Sequence, residues 1–274
     1  MSVGLFILLL CCNFLQLVTL VLLPFSRKVF RKANREIANF WWGSASFCLE
    51  RLQGIRIHFS GDTVPKQENA LLVINHQSMA DIPILFGLGH RASRLGDMKW
   101  IAKDMLKYVP GAGWGMLFLD CIFVKRQWHL DQVNINRTFH KFFQENIPIW
   151  LTTFPEGTRF HARKLLSSQL FSRKHGLPES RYVLIPRTKG FVASVQGLRG
   201  HIVAVYDITI GFPDRVPSLL ELATGKVTDV YLHVRRFEIT SLPMSEAELS
   251  EWLRRIFLEK DQLLSHFHAA GQFV

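Results

Sequence analysis

No Cys-x-x-Cys pair and no His-Glu-x-x-His pattern occurs in the 274 residues. The four cysteines, Cys11, Cys12, Cys48 and Cys121, form neither a disulfide framework nor a redox pair, and two of them are adjacent inside an apolar run. A reducing compartment fits that usage, and no metal or other cofactor is expected. A Gly-x-Ser-x-Gly elbow is missing, so an α/β-hydrolase serine has no support. Gly111, Gly113 and Gly115 alternate beside Pro110 without the Gly-Lys-Ser/Thr ending of a phosphate loop, which leaves them a turn. Internal repeats and sustained heptads are missing as well. Charge is sparse: 20% of residues are charged and 48% hydrophobic, with a mean hydropathy of +0.13. That excludes a disordered polar chain and leans toward contact with lipid.

The charge that is present is mostly positive. Lys plus Arg number 33 against 22 Asp plus Glu, a formal net charge of +11, which suits partners bearing phosphate: nucleotides, nucleic acid or anionic membrane. From Val3 to Phe25 no charge occurs. At helical rise that run is about 34 Å long, enough for one spanning helix. Asn13, Gln16 and Thr19 interrupt it and leave a tilted or re-entrant segment open as the alternative. A cleaved signal peptide fits poorly, because no basic residue precedes the run. Arg27, Lys28, Arg31, Lys32 and Arg35 follow at once, so the positive-inside bias puts the rest of the chain on the cytoplasmic side. Phe40, Trp41, Trp42 and Phe47 then suit a helix at headgroup level, against the plainer alternative of a core helix.

The working division is an anchor over 1–26, a basic aromatic interfacial helix over 27–53 and one further domain over 54–274. Short apolar runs alternate there with helical stretches, the pattern of an α/β domain. Strands are predicted over 55–59, 70–74, 149–153, 183–185, 202–209 and 230–235. Helices are predicted over 81–88, 99–106, 131–145, 191–197 and 245–266, the last opened by a capping-box pair, Ser245 and Glu248.

Chemistry concentrates at the ends of those strands. Asn75–His76–Gln77–Ser78–Met79–Ala80–Asp81 follows an apolar strand, and nowhere else does an Asp stand five residues after a His. A loop between strand and helix is where α/β folds assemble sites. Ser78 is placed to cap the next helix, and the Asp81 carboxylate to meet the imidazole of His76, fixing its tautomer for general-base work. Spacing alone favours a solvated His beside a helix-capping acid; the blocks that follow reverse that. Phe154–Pro155–Glu156–Gly157–Thr158–Arg159 ends another apolar run; Gly157 allows close backbone approach and Arg159 offers a fork for phosphate. By itself this block also reads as a turn with an exposed ion pair. Phe123–Val124–Lys125–Arg126 and Ile185–Pro186–Arg187–Thr188–Lys189–Gly190 add bases at two more ends. Between 159 and 199 nine Lys or Arg face one acid, Glu179, which marks either a solvated face or one that attracts anionic headgroups and phosphorylated substrates. Cys121 lies in an apolar stretch with no local base and reads as a buried structural thiol.

In order and spacing, these four blocks resemble the glycerolipid acyltransferase family that includes the lysophosphatidic acid acyltransferases. His76 and Asp81 match its His-x4-Asp block, Phe123–Arg126 its second, Phe154–Arg159 its Glu-Gly-Thr-Arg block and Val183–Pro186 its proline-centred fourth. Tyr206–Thr209, Pro217–Leu220, Val234–Phe237 and the Pro-Arg-Thr-Lys-Gly ending of the fourth block look like the longer subgroup of 1-acylglycerol-3-phosphate acyltransferases. The resemblance implies an α/β fold, a mixed sheet flanked by helices behind an N-terminal membrane anchor. It implies transfer of a fatty acyl group from acyl-CoA or an acyl carrier protein thioester to the sn-2 hydroxyl of 1-acylglycerol-3-phosphate. Lysophosphatidylinositol, lysocardiolipin and lysophosphatidylglycerol are the alternative acceptors. His76 would be the base and Asp81 its orienting acid; Arg126, Glu156, Gly157, Thr158 and Arg159 would hold the acceptor, with Arg187 and Lys189 as further phosphate ligands. Anionic membrane lipids are the other expected partners. A non-enzymatic module binding membrane or nucleic acid would explain the charge but neither strand-end motif, so no nucleic acid partner is expected.

Overall fold

The computed structural model describes residues 2–273. Its centre is a seven-stranded sheet made of β1 (Arg56–Gly61), β2 (Ala70–Ile74), β3 (Met98–Lys103), β4 (Ile122–Val124), β5 (Trp150–Thr153), β6 (Ala204–Gly211) and β7 (Asp229–Glu238). The spatial order is β1-β7-β6-β2-β5-β3-β4, and every neighbouring pair is parallel except β6 with β7. Five strands, β2 to β6, therefore end on one rim, the place where α/β sheets present ligands. At the centre, β2 is buried along its whole length, and its unbroken apolar run is what a strand covered on both faces requires.

Nine α-helices accompany the sheet among the described residues: α1 (Ser2–Val18), α2 (Arg27–Phe47), α3 (Asp81–Arg91), α4 (Ala112–Phe118), α5 (Trp128–Gln144), α6 (Ala162–Lys174), α7 (Thr188–Leu198), α8 (Leu219–Ala223) and α9 (Glu246–Ala270). The side chains of β2 alternate between two cores. Leu72 and Ile74 join the layer of α2 and α3, where Trp42 stacks on Phe86 at 5.4 Å. Leu71 and Val73 join that of α5, α7 and α9, where Phe191 stacks on Trp252 at 5.5 Å. The expected mixed sheet flanked by helices is what forms.

Two expected elements are otherwise. The helix predicted over 99–106 is instead strand β3 followed by a short 3-10 turn over Asp104–Tyr108. Met98 to Trp100 pair with β5 and Ile101 to Lys103 with β4, so backbone partners on both sides outweigh a helical pattern of residues. The apolar run 183–185 is buried but is no strand. Its N–H groups go to side chains: Val183 to Asp261, Leu184 to Glu156 and Ile185 to Ser168. Ser78 does not cap α3 either; Ala80 holds that position, while the Ser78 hydroxyl donates to the Pro217 carbonyl. Helix α9 begins as expected, with the Ser245 hydroxyl accepting from the Glu248 N–H.

The segment Val3–Leu22 is long and apolar enough to cross a membrane by length and composition. It does not stand free. The Trp41 indole donates to the Leu5 carbonyl, the Asn34 amide to the Thr19 hydroxyl, and the Gln16 amide to the Gly115 carbonyl in α4. Asn13 and Gln16 are thus turned inward and buried, while Phe6, Ile7, Phe14, Leu15 and Leu17 face outward. Trp42 belongs to the core, whereas Phe40 and Phe47 are exposed.

Helix α9 is pinned to the sheet by a buried charge. Lys260, wholly enclosed, donates to the Ile208 carbonyl at 2.7 Å and the Thr209 hydroxyl at 3.1 Å, and lies 2.7 Å from Asp207, which also receives Arg235. Burial pushes the Lys260 ammonium below its ordinary value, and Asp207 opposes that shift. Lys260→Ala leaves Asp207 with Arg235 alone and a hole where the side chain stood, so it should cost about 2–4 kcal/mol of stability. Thermal unfolding in detergent should show the loss, and an unchanged Tm would contradict this account.

Candidate functional site

The rim of the sheet carries the strand-end motifs. At the end of β2, His76 Nδ1 lies 2.9 Å from Asp81 Oδ2. Because a carboxylate only accepts, the network assigns the proton to Nδ1 and leaves the lone pair on Nε2, which has no hydrogen-bond partner among the described residues. The same Asp81 oxygen accepts the N–H groups of Gln77 at 2.7 Å and Ser78 at 2.8 Å, so one acid shapes the loop and orients the ring. Burial pushes the Asp81 carboxyl up from its ordinary value, while His76 and the two N–H groups hold it down. The imidazole stacks on Phe154, centroids 4.1 Å apart, and Phe154 on Trp100, which lays the ring over the α2–α3 side of the sheet.

Glu156 is not at the surface. It is 3% exposed; Oε1 accepts the His76 N–H at 2.8 Å and Oε2 the Leu184 N–H at 3.2 Å. The residue expected to touch substrate thus stands behind the histidine and ties two loops together. Burial pushes its pKa up to about 8. The Phe160 N–H donates to the His76 carbonyl at 2.7 Å, and the Arg187 N–H to the Pro155 carbonyl at 2.8 Å. Gly157, at φ +68°, passes under the Arg187 side chain, where an added Cβ would come within 3.1 Å of Cδ and Nε. A side chain at 157 would be strained in backbone and crowded at once. These bonds bring His76, Asp81, Glu156, Gly157, Thr158, Arg159 and Arg187 into one cluster.

Arg126 and Lys189 approach from farther out. Arg126 follows β4, three strand positions from β2 and so roughly 14 Å away at the usual strand spacing. It is exposed and holds φ +64°, uncommon for a residue with a side chain. Asp131 imposes that turn by accepting the N–H groups of Lys125 at 2.8 Å and Gln127 at 2.9 Å. Lys189 lies in the first turn of α7. No carboxylate stands within 4 Å of Lys125, Arg126, Arg159, Arg187 or Lys189 among the described residues. Cys121 is held as a structural thiol, pushed up to about 11 by burial. Sequence reasoning gave Phe154, Trp100 and Asp131 no role at the site. Phe154 stood inside a recognised block, but stacking against a ring 78 positions earlier has no sequence signature.

A family model described as Acyltransferase matches residues 56–210, and one described as Acyltransferase C-terminus matches 221–274. A probable 1-acyl-sn-glycerol-3-phosphate acyltransferase 5 of Arabidopsis thaliana is 35% identical over 269 residues, 98% of this chain and 71% of that protein. The human 1-acyl-sn-glycerol-3-phosphate acyltransferase gamma is 35% identical over 266 residues, 95% of this chain and 71% of that one. Among solved structures, the 1-acyl-sn-glycerophosphate acyltransferase PlsC of Thermotoga maritima shares the fold, with a TM-score of 0.53 at 18% identity, covering 97% of this chain and 98% of that one.

Two substitutions probe this arrangement. The raised pKa of Glu156 means that the folded state binds its proton more tightly than the unfolded chain does. Its contribution is therefore complete below the ordinary glutamate value of 4.5 and is lost as pH rises through about 8. In Glu156→Gln that slope should flatten in Tm measured against pH. The misplaced amide should also cost about 1–3 kcal/mol, and a wild-type slope would contradict the burial. Arg126→Gly should raise stability by about 1 kcal/mol by relieving the left-handed backbone, while weakening acceptor binding. A destabilised variant with wild-type KM would refute the account of strain.

Proposed function

The chain belongs to the acyltransferase family, and we propose that it transfers a fatty acyl group from a thioester to the sn-2 hydroxyl of 1-acylglycerol-3-phosphate, giving phosphatidic acid. The observation that carries this reading is the His76–Asp81 pair, with its open Nε2, laced to a loop that bears unpaired arginines.

On this reading, Nε2 takes the proton of the acceptor hydroxyl as its oxygen attacks the thioester carbonyl. The C–S bond then breaks, and the departing thiolate takes a proton from the imidazolium, so acid and base are restored and no acyl-enzyme forms. A thiolate leaves readily. The protein's main tasks are alignment of two substrates, removal of one proton and stabilisation of the imidazolium by the buried Asp81. Arg159 and Arg126 would hold the acceptor's phosphate through their forked N–H groups, with Arg187 and Lys189 left for phosphate on either substrate. Glu156 acts through the backbone of His76 and Leu184, as a positioning residue.

The packing of α1 favours a segment lying in one leaflet. A helix bound along Leu5 to Thr19 by α2 and α4 cannot leave the body of the protein to cross the bilayer alone, yet its outer face is apolar throughout. Arg27, Lys28 and Lys32, which are exposed, would then meet anionic headgroups on the cytosolic side, whereas Arg31 pairs with Asp120 and Glu145 and Arg35 with Asp97.

Purified protein should acylate 1-acylglycerol-3-phosphate in preference to lysophosphatidylinositol, lysocardiolipin or lysophosphatidylglycerol. His76→Ala should lower kcat by about 100-fold or more while membrane binding persists. Transfer only to the other lysolipids would replace the acceptor, and full activity in the variant would remove the base.

A further inference from the structure

Helices α5 and α7 lie side by side and parallel. Gly197 meets Phe139 and Gly200 meets Phe143, each so closely that an added Cβ would come within 2.9 Å of a ring carbon. Above this seam a groove of about 630 Å³ opens, floored by the two phenylalanines and walled by the amides of Gln132, Asn136 and Gln196. Trp128 and Lys189 stand at its mouth. The groove occupies the face of the sheet opposite the His76 ring. Its mouth nevertheless reaches the catalytic rim, because Trp128 opens the helix that follows β4 and Lys189 the helix that follows the 183–187 loop.

Three properties fit one kind of ligand. The volume lies within the roughly 300–1,000 Å³ of small-molecule sites. Trp128 supplies a plane on which a base can stack, and three side-chain amides can read hydrogen-bonding edges. Lys189 lines the groove, and Lys125, Arg126 and Arg187 lie within three residues of its lining residues Trp128 and Thr188, none with an acidic partner among the described residues, a supply of bases suited to several phosphates. Glu246, the one acid in the lining, can accept from an exocyclic amine.

We propose that this groove seats the 3′-phosphoadenosine end of a coenzyme A thioester, with its pyrophosphate at Arg187 and Lys189 and the pantetheine arm crossing the rim to His76. The proposal rests on the acyl-transfer reading above. The arm spans roughly 16 Å, counted at about 3.5 Å for each residue-sized unit, which is enough to pass from one face of the sheet to the other. An acyl carrier protein presents the same arm without the nucleotide and leaves the groove empty.

The test compares acyl-CoA with the acyl thioester of N-acetylcysteamine, which has no nucleotide. In wild-type protein, adenosine 3′,5′-bisphosphate should compete with acyl-CoA and not with the short thioester. It should also bind in calorimetry without any acceptor present. In Trp128→Ala the ratio of kcat/KM for acyl-CoA to that for the short thioester should fall about tenfold, the effect of one lost stacking contact; Trp128→Phe should restore most of it. Because the readout is a ratio, a partly unfolded variant lowers both terms alike. An unchanged ratio would overturn the groove as the nucleotide site. Transfer from acyl carrier protein but not from coenzyme A would overturn it too, with acyl transfer intact. Nucleotide binding without transfer from any donor would instead overturn the reading of the function and leave the groove standing.

Discussion

Carboxylates that accept backbone N–H groups, three of them buried, hold the loops around His76. Asp81 gathers Gln77 and Ser78, Glu156 gathers His76 and Leu184, Asp131 gathers Lys125 and Gln127, and Asp261 gathers Arg181, Tyr182 and Val183. Each acid satisfies donors that no strand or helix could reach, and such donors are costly to leave unmade inside a protein. This is how irregular chain at the rim acquires a fixed shape without regular structure.

The same economy accounts for the electrostatics. A chain with 22 acids and 33 bases has few anions to spare, and here several of them are spent on backbone or on ion pairs away from the rim, such as Asp207 with Arg235 and Glu68 with Arg236. The bases near His76 are left without partners. A positive rim therefore follows from where the acids were placed as much as from where the bases were.

How much of this was legible in the sequence depended on the range of the interaction. Strand ends followed by His76, Glu156 and Arg187 were readable because an apolar run stopping at a turn is a local pattern. The five-residue spacing allowed the dyad, and the order of the other blocks, with the family they resemble, selected it. Neither β3 nor the irregular course of 183–185 was readable, since both were decided by partners far along the chain: β5 and β4 in one case, Asp261, Glu156 and Ser168 in the other. The role of Glu156 was hidden for the same reason. Its motif suggested a ligand, and only its bond to the N–H of a residue 80 positions earlier puts it behind the catalytic ring. Asn13 and Gln16 looked like blemishes in an apolar segment; the Gln16 amide donates to the Gly115 carbonyl of α4, and Asn13 donates to Gln16.

The ring of His76 leans over the side of the sheet that bears α2 and α3, while Lys189 and the groove it lines lie along α5 and α7. Traffic is separated as a result. A greasy product can leave by the side of α2 and α3 as a water-soluble thiol departs by the other. Neither exit obstructs the other, and nothing in such a layout compels a fixed order of arrival or departure.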